Sequence, residues 1–387
     1  MLRGETTKRS PLDAEAVVAA LQAQGVEQLR EEPSVWVIID GSDLRKPHAA
    51  EMAHLQRVKR LDSPGTVPGY PTLNVLGIGP QRRGLPYHKL YSSTAPDFVR
   101  APREVQAALA SVGTALAPQV AAGTEGTAIL DSGFDDQAVW ATVWGQGWHL
   151  VCRLCHRDRL VRVASGAPLQ PLADLAPRLR ERARVEAELV VQKHGQPRPK
   201  RQPVTVVVAA TPAVVPYHVR TAAAAEQEQA CWLVEVRLER VAAEPWWLLT
   251  DRPVETAEQA TEVFPRYCQR WSIEDAFKVA KTCLGWEDVQ VMSYEALRLL
   301  VALGWVAAGF LFALGVTLEW PEVRLLQRLG GGEARPNRPP GQQVLTRGLR
   351  RLFDLLATEA ILADEERRYG GLPLRIAALL GRPAATH

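Results

Sequence analysis

Two aspartates and one glutamate stand at positions where their carboxylates could hold a divalent cation. Asp40 follows the apolar run 35–39, and Asp131 follows the apolar run 127–130. Short apolar runs of this kind predict buried strands, so each aspartate is expected at a strand end. Glu274 lies in a segment with helical periodicity. Carboxylates from separate elements are the ligands that Mg²⁺ takes where phosphodiesters are cleaved.

The segment 267–281 carries a polar stripe around that glutamate. Arg270, Glu274 and Lys281 follow Tyr267 by 3, 7 and 14 residues. At a helical repeat of about 100° per residue, the four side chains fall within an arc of about 60°. The adjoining face is apolar, which predicts a helix buried on one side. An ordinary surface helix with ion-paired charges would show the same spacing, so spacing alone leaves both interpretations open.

The residue types of this stripe also match a family signature. The pattern Tyr-x2-Arg-x3-Glu-x6-Lys resembles that of the cut-and-paste DDE transposases of bacterial insertion sequences, and all four positions match. The segments 38–43 and 130–135 resemble the family's first strand end and its Asp-x-Gly-Phe element, and 246–250 resembles its last insertion strand. The resemblance extends over about residues 35–315.

The resemblance implies a metal-dependent endonuclease and polynucleotidyl transferase with an RNase H-like core. Asp40, Asp131 and Glu274 would be the catalytic residues and would hold two Mg²⁺ ions, or Mn²⁺ in their place. The partners would be double-stranded DNA, at the transposon ends and at the target, and a second copy of the chain when bound to DNA. The residues implied to contact DNA are Tyr267, Arg270, Lys281, Trp246 and Arg153.

Several of these assignments have alternatives. Asp43, Asp135 and Asp136 lie near enough in sequence to replace a ligand, although each is expected to cap a turn or a helix. Trp246 and Trp247 must point to opposite faces of a strand, so we expect one of them to be buried and Trp246 to stack on a DNA base. Arg153 could equally be an ordinary surface arginine.

The cysteines indicate a reducing compartment. There are five, an odd number, and no apolar signal region is found near the start, which predicts free thiols and a bacterial cytoplasmic, nucleoid-associated protein. Cys152, Cys155 and His156 have the spacing of a c-type haem attachment site. That motif falls in a predicted strand, and we expect the spacing to be a coincidence.

Composition predicts well-formed cores. Of the 387 residues, 47% are apolar and 23% are charged. The net charge of +3 neither requires nor excludes nucleic acid, but basic residues cluster at 178–184, 193–201 and 324–351. The apolar stretch 299–316 is long enough to span a membrane, and we expect it instead to be a buried core helix.

The order of predicted elements is three strands, a helix, a strand, a helix and a strand. This order predicts an α/β fold, with a mixed sheet and flanking helices, interrupted by a β-rich insertion and followed by a helical C-terminal region. The predicted segments are a short N-terminal helical segment (1–34), the first part of the core (35–157), the insertion (158–255), the second part of the core with the signature helix (256–320) and the C-terminal helical region (321–387).

The N-terminal region departs from the family pattern. Only 34 residues precede the first predicted strand, whereas relatives usually carry a helical domain there that recognises transposon ends. Two alternatives to an active transposase therefore stay open. One is an impaired or truncated remnant that binds DNA and dimerises, and the other is an RNase H-like nuclease without strand transfer.

Overall fold

The sheet is built around β1 (Ser34–Arg45), whose first half is apolar and buried. This strand pairs antiparallel with β3 (Thr66–Ile78) and parallel with β5 (Glu125–Leu130). A strand with neighbours on both sides and packing on both faces needs a continuous apolar run, which residues 35–39 supply.

The structure, a computed structural model, describes residues 13–61, 63–191, 200–218, 226–242, 244–333 and 341–385. It forms two compact units, one of Met1–Lys281 with Gly285–Gly309 and the other of Thr282–Leu284 with Phe310–His387. Three predicted features lie wholly or partly outside the described residues. They are the start of the N-terminal segment, most of the basic segment 193–201 and part of the basic cluster 324–351.

The first unit contains a ten-stranded mixed sheet. Its other strands are β2 (Gln56–Lys59), β4 (Arg83–Leu90), β6 (His149–Arg153), β9 (Arg180–Val191), β10 (Lys200–His218), β11 (Glu226–Leu238) and β12 (Trp246–Thr250); β7 (Leu160–Val161) and β8 (Gln170–Pro171) pair separately. The order across the sheet is β2-β3-β1-β5-β6-β12-β11-β10-β9, and β4 also pairs with β3. Only the pairs β1–β5 and β5–β6 are parallel among the described strands.

The strands of the segment predicted as an insertion continue this same sheet. β12 pairs antiparallel with β6, and β11, β10 and β9 follow it as antiparallel neighbours. β9 is therefore the last strand at this edge among those described. Its exposed side chains are mostly charged and include Arg180, Glu181, Arg184, Glu186 and Glu188.

Helices connect and flank the strands. Those of the first unit are α1 (Ala14–Glu27), α2 (Ala101–Ala121), α3 (Gln137–Gly145), α4 (Ala257–Cys268) and α5 (Ser272–Lys278), and α6 (Tyr294–Thr317) begins there. Asp136 caps α3 by accepting the N–H of Ala138 at 2.7 Å, and Thr256 and Gln259 form a capping box at α4.

The second unit is helical. It holds α7 (Trp320–Leu329), α8 (Gln342–Tyr369) and α9 (Leu374–Leu380). α7 and α8 share a small core of Val323, Leu326 and Leu345. The predictions of an α/β fold, a mixed sheet and a helical C-terminal region are thus confirmed.

Three details of the prediction are wrong. β1 does not end at Ile39, because β3 pairs with it as far as Arg45. β2 and β9 form in polar, basic segments, where pairing with a neighbouring strand outweighs the poor apolar pattern. The signature segment is not one α-helix: a 3₁₀ turn at Gln269–Trp271 precedes α5 and a wider turn at Val279–Cys283 follows it.

α6 contains the apolar stretch that could be taken for a membrane span. It is the one helix in the described part of the chain that is long and apolar enough to cross a membrane. Of its most apolar 18-residue stretch, 39% is buried. Within the first unit, its buried residues are Leu297, Val301, Ala302, Trp305 and Ala308. A single, partly buried helix of this kind is consistent with a soluble protein.

α1 packs against β4 through glycine. A methyl group added at Gly25 would lie 2.5 Å from the carbonyl carbon of Leu85, and one added at Gly84 would collide with the Gly25 carbonyl oxygen. The backbones can approach this closely only because neither residue has a side chain.

We therefore expect Gly25→Ala to lower the free energy of unfolding by about 1–3 kcal/mol, because the helix must move away from β4. Gly145→Ala is the matched control, since nothing lies within 4 Å of the added methyl at the end of α3. It should be neutral or stabilising by up to about 1 kcal/mol. Urea unfolding of both variants measures the difference, and equal stabilities would contradict the close packing.

Candidate active site at the ends of the parallel strands

Asp40 and Asp131 lie on adjacent parallel strands. The pairing of β1 with β5 brings Ile38 opposite Ile129. Each aspartate lies two residues beyond that pair, so both side chains project from the same face of the sheet. Asp40 is not the last residue of its strand, since it is still opposite Asn74 of β3. It nevertheless stands level with the end of β5, next to Asp131.

A backbone amide orients each of these aspartates. The N–H of Gly41 donates to Oδ1 of Asp40 at 2.7 Å, and the N–H of Gly133 donates to Oδ1 of Asp131 at 2.8 Å. Asp131 thereby caps the short 3₁₀ turn that follows β5. Each carboxylate keeps its second oxygen for another partner.

Glu274 joins the aspartates through Arg270. Nη1 of Arg270 is 3.2 Å from Oδ2 of Asp40, and its Nη2 is 2.8 Å from Oε1 of Glu274. One guanidinium therefore spans both carboxylates. The arginine and the glutamate can share this position because residues four apart lie on the same helix face.

The proximity of the three acidic groups changes the acidity of one of them. Burial and the negative charge of Asp131 raise the pKa of Asp40 to about 6, and the charge of Glu274 adds to the effect. The amide of Gly41 and the charge of Arg270 act in the opposite direction but do not cancel it. Burial and the neighbouring negative charges thus outweigh the groups that favour the ionised form of Asp40.

This donor set suits hard divalent cations. Asp40, Asp131 and Glu274 offer only carboxylate oxygens, which Mg²⁺ and Mn²⁺ prefer. A bound cation would offset the negative charges of Asp131 and Glu274, which together with burial raise the pKa of Asp40. The residues present therefore fit such ions.

A different group has its ligand atoms closer together. Among the described residues, only Asp135, Cys155 and His156 place three such atoms within 4.8 Å of one another. The carboxylate of Asp135, however, already accepts the backbone N–H groups of Cys155 at 2.7 Å and His156 at 2.8 Å and pairs with Arg159. Burial and the charge of Asp135 also raise the pKa of the Cys155 thiol, which disfavours the thiolate that metals bind. This group is a possible but weak metal site, and it is not the predicted triad.

An aromatic and basic cluster lies beside the carboxylates. The guanidinium carbon of Arg153, the last residue of β6, is 5.0 Å from the centre of the Trp246 ring. The ring of Tyr267 meets the same tryptophan edge-on at 5.8 Å. Trp246 is partly exposed, whereas Trp247 is buried and donates to Glu235 at 3.3 Å. The expected division of the tryptophan pair into one buried and one accessible ring is confirmed.

The outer members of the signature are not on one exposed stripe. Tyr267 is only 2% exposed, and burial raises the pKa of its hydroxyl. Lys281 lies in the wider turn after α5, where Nζ donates to the backbone oxygen of Asp43 at 3.0 Å and lies 3.5 Å from Glu287. The prediction of one polar face therefore holds for Arg270 and Glu274, and it is wrong for Tyr267. Lys281 also contacts β1, but at Asp43, three residues beyond the Asp40 that Arg270 contacts.

The three rival aspartates have structural partners. Asp43 lies within β1 and does not cap a turn, contrary to the prediction, and its carboxylate accepts the N–H of Lys59 at 3.2 Å. Asp136 caps α3, as predicted. Asp135 is fully buried and ties the loop after β5 to the loop after β6.

Two residues near this site were missed from the sequence. Arg159 neutralises Asp135, and Glu287 pairs with Arg45 at 2.8 Å and with Lys281. The pairs Arg159–Asp135 and Arg45–Glu287 join residues 24 and 242 positions apart, so no local spacing indicates them.

The haem-like motif has no suitable geometry. Cys152 is buried within β6, while Cys155 is exposed after the strand. The burial of Cys152 supports the interpretation of the spacing as a coincidence.

Comparison with protein-family models and with curated protein sequences finds no match for this chain.

Proposed function

We propose that the chain is a DDE transposase, which cleaves transposon ends in a metal-dependent reaction and transfers the strand into target DNA. The observation that carries the proposal is the convergence of Asp40, Asp131 and Glu274 from two parallel strands and a helix. These elements are separated by long stretches of chain, and the carboxylates would repel one another without a cationic partner.

The order of the strands supports an RNase H-like core. β1, β3 and β4 are antiparallel neighbours, α2 leads to β5, and α3 leads to β6 parallel to it. Apart from β2, which was not predicted, this matches the predicted order of three strands, a helix, a strand, a helix and a strand. Asp131 then follows the carboxyl end of β5, and Asp40 of β1 is level with it. This is the edge at which α/β sheets commonly place their sites.

The roles of the residues follow from their positions. Asp40, Asp131 and Glu274 would hold two Mg²⁺ ions, or Mn²⁺, which supply charge neutralisation and an activated oxygen nucleophile when bound. The amides of Gly41 and Gly133 keep the two aspartates oriented before any ligand arrives. Preorganisation of this kind lowers the cost of reaching the reactive geometry.

Double-stranded DNA is the proposed partner. Arg153 and Trp246 offer a cation beside an accessible ring, a combination that binds phosphate and stacks on bases. The proposal includes Arg270 beside the carboxylates, Tyr267 against Trp246, and Lys281, which lies farther along β1 at Asp43. We extend the proposal to a homodimer on DNA and to a bacterial cytoplasm, with the protein associated with the nucleoid.

A nicking assay with Glu274→Gln tests the proposal. The substrate is supercoiled plasmid carrying the DNA that flanks the gene, with Mg²⁺ or EDTA. Wild-type protein should nick it only with Mg²⁺, and Glu274→Gln should give no nicking above background because a ligand is lost. Glu262→Gln is the matched control: it alters a glutamate that pairs with an arginine four residues away on α4, and it should nick like wild type.

The products distinguish the alternatives. Joining of the cleaved strand to a second labelled duplex supports transposition, and cleavage without joining indicates a nuclease only. DNA binding without cleavage by the wild type indicates an impaired remnant. Equal nicking by wild type and Glu274→Gln would rule out the site.

A further inference from the structure

Arg270 occupies the position between two of the proposed ligands. Its two terminal nitrogens lie on Oδ2 of Asp40 and Oε1 of Glu274, and its side chain is only 14% exposed. The other oxygen of Asp40 accepts the N–H of Gly41. Both oxygens of Asp40 are therefore engaged, one by an amide and one by the guanidinium.

We propose that Arg270 is an internal cation that holds the metal-free carboxylates together and is displaced when divalent cations bind. The freed guanidinium then binds a DNA phosphate, so that metal loading and DNA binding assist each other. This inference rests on the proposed function, because it requires Asp40 and Glu274 to be metal ligands.

Displacement follows from the geometry. A cation bound at Oδ2 of Asp40 would share that oxygen with Nη1 of Arg270, and the two positive charges would lie within a few ångströms of each other. Neither Gly41 nor the backbone of β1 can move away easily, since both belong to a paired strand. The arginine side chain is the movable partner.

The arginine is also incompletely satisfied where it lies. Its Nε is buried and has no hydrogen-bond partner among the residues that the structure describes. A buried donor without a partner costs free energy, so the present position is a compromise between the carboxylates and the solvent. Displacing the Arg270 side chain from this position therefore costs less free energy than displacing an arginine whose donors are all paired.

A second binding place for the guanidinium lies close by. Tyr267 precedes Arg270 by three residues, and its ring contacts Trp246, over which Arg153 lies. A phosphate bound beside this cluster would offer the forked geometry that a guanidinium prefers. Metal binding would thus exchange carboxylate partners of Arg270 for a phosphate partner.

The direct test measures Mn²⁺ binding in the absence of DNA. Isothermal titration calorimetry would compare wild type with Arg270→Gln, Arg270→Lys and Glu274→Gln. If the arginine competes with the metal, Arg270→Gln should bind Mn²⁺ about three- to tenfold more tightly than wild type. If it merely positions the ligands, the same variant should bind Mn²⁺ more weakly, and weaker or unchanged binding would overturn the inference.

Two controls separate the possible failures. Arg266→Gln removes an arginine from the comparable pair with Glu262 and should leave Mn²⁺ affinity unchanged. Should Arg270→Gln not fold, Arg270→Lys keeps a positive charge that cannot span both carboxylates, and its affinity should still exceed that of wild type. If Glu274→Gln binds Mn²⁺ as wild type does, the proposed site itself is wrong, which is a different outcome from a failed Arg270 test.

Coupling to DNA gives an independent measurement. Fluorescence anisotropy of a labelled duplex, with Ca²⁺ or EDTA, reports DNA affinity without strand cleavage. Ca²⁺ should raise the DNA affinity of wild type, and the rise should be smaller in Arg270→Gln, because linkage between two ligands is reciprocal. An equal rise in both proteins would show that Arg270 does not carry the coupling.

Discussion

Replacement of Asp40 by asparagine should abolish Mg²⁺-dependent cleavage and, in EDTA, make the protein more stable than wild type. The first effect follows from the loss of a proposed ligand, and cleavage should fall at least about a thousandfold. The second follows from the crowded carboxylates, because burial and the charge of Asp131 raise the pKa of Asp40 to about 6. A raised pKa means that the charged form is disfavoured in the folded protein.

The dependence of this effect on pH has a definite sign. In the unfolded chain the Asp40 carboxyl titrates near its ordinary pKa of 3.8, and in the folded protein near 6. Above about pH 6 it is charged in both states, and the folded protein bears the full penalty. As the pH falls from about 6 towards 3.8, the folded protein takes up a proton first, and the penalty is lost.

The stability measurement follows directly. At pH 7.5 in EDTA, the free energy of unfolding of Asp40→Asn should be about 1–3 kcal/mol higher than that of wild type. This difference should shrink towards zero near pH 4. Mn²⁺ should stabilise wild type more than the variant, since only wild type keeps the full ligand set. A variant that is less stable than wild type at pH 7.5 would contradict the crowding of charge at this site.

Replacement of Arg159 by methionine should strongly destabilise the first unit. Nη2 of Arg159 lies 2.5 Å from Oδ1 of Asp135, whose side chain is fully buried, and only 12% of the arginine side chain is exposed. The guanidinium also lies 4.3 Å from the centre of the Trp140 ring. Removal of one partner leaves a buried charge uncompensated, which typically costs about 3–5 kcal/mol.

Arg184→Met is the matched control. Arg184 pairs with Glu181 and Glu239 on the surface and is 50% exposed, so its loss should have an effect below about 1 kcal/mol. Chemical unfolding of the two variants measures the contrast. Arg159→Met should also reduce cleavage, because Asp135 ties the loop that carries Asp131 to the loop after β6. Similar stabilities for both variants would show that Asp135 finds another partner.

Local sequence patterns predict the parts of the site that depend on local structure. Asp40 and Asp131 stand next to apolar runs, and those runs form the adjacent parallel strands. Arg270 and Glu274 are four residues apart, and that spacing places both on one helical face. Alternation along a strand predicts that one of two neighbouring tryptophans is buried, as Trp247 is.

Features that depend on distant contacts are not predictable in this way. β1 continues beyond Asp40 because β3 pairs with it, and nothing in residues 41–45 indicates that partner. Arg159 and Asp135 are 24 residues apart, and Lys281 reaches Asp43 from 238 residues away. The spacing of apolar residues also does not predict the break in the signature helix, because a 3₁₀ turn continues the chain in nearly the same direction as an α-helix.

The charged side chains of β9 have a consequence for solubility. An outermost strand exposes unpaired backbone groups to which a strand of another molecule could add. In β9, the side chains of Arg180, Glu181, Arg184, Glu186 and Glu188 are exposed beside that edge. An incoming strand would have to desolvate several of these charges before its backbone could pair with β9. This free-energy cost opposes edge-to-edge association of the sheets of different molecules into fibres.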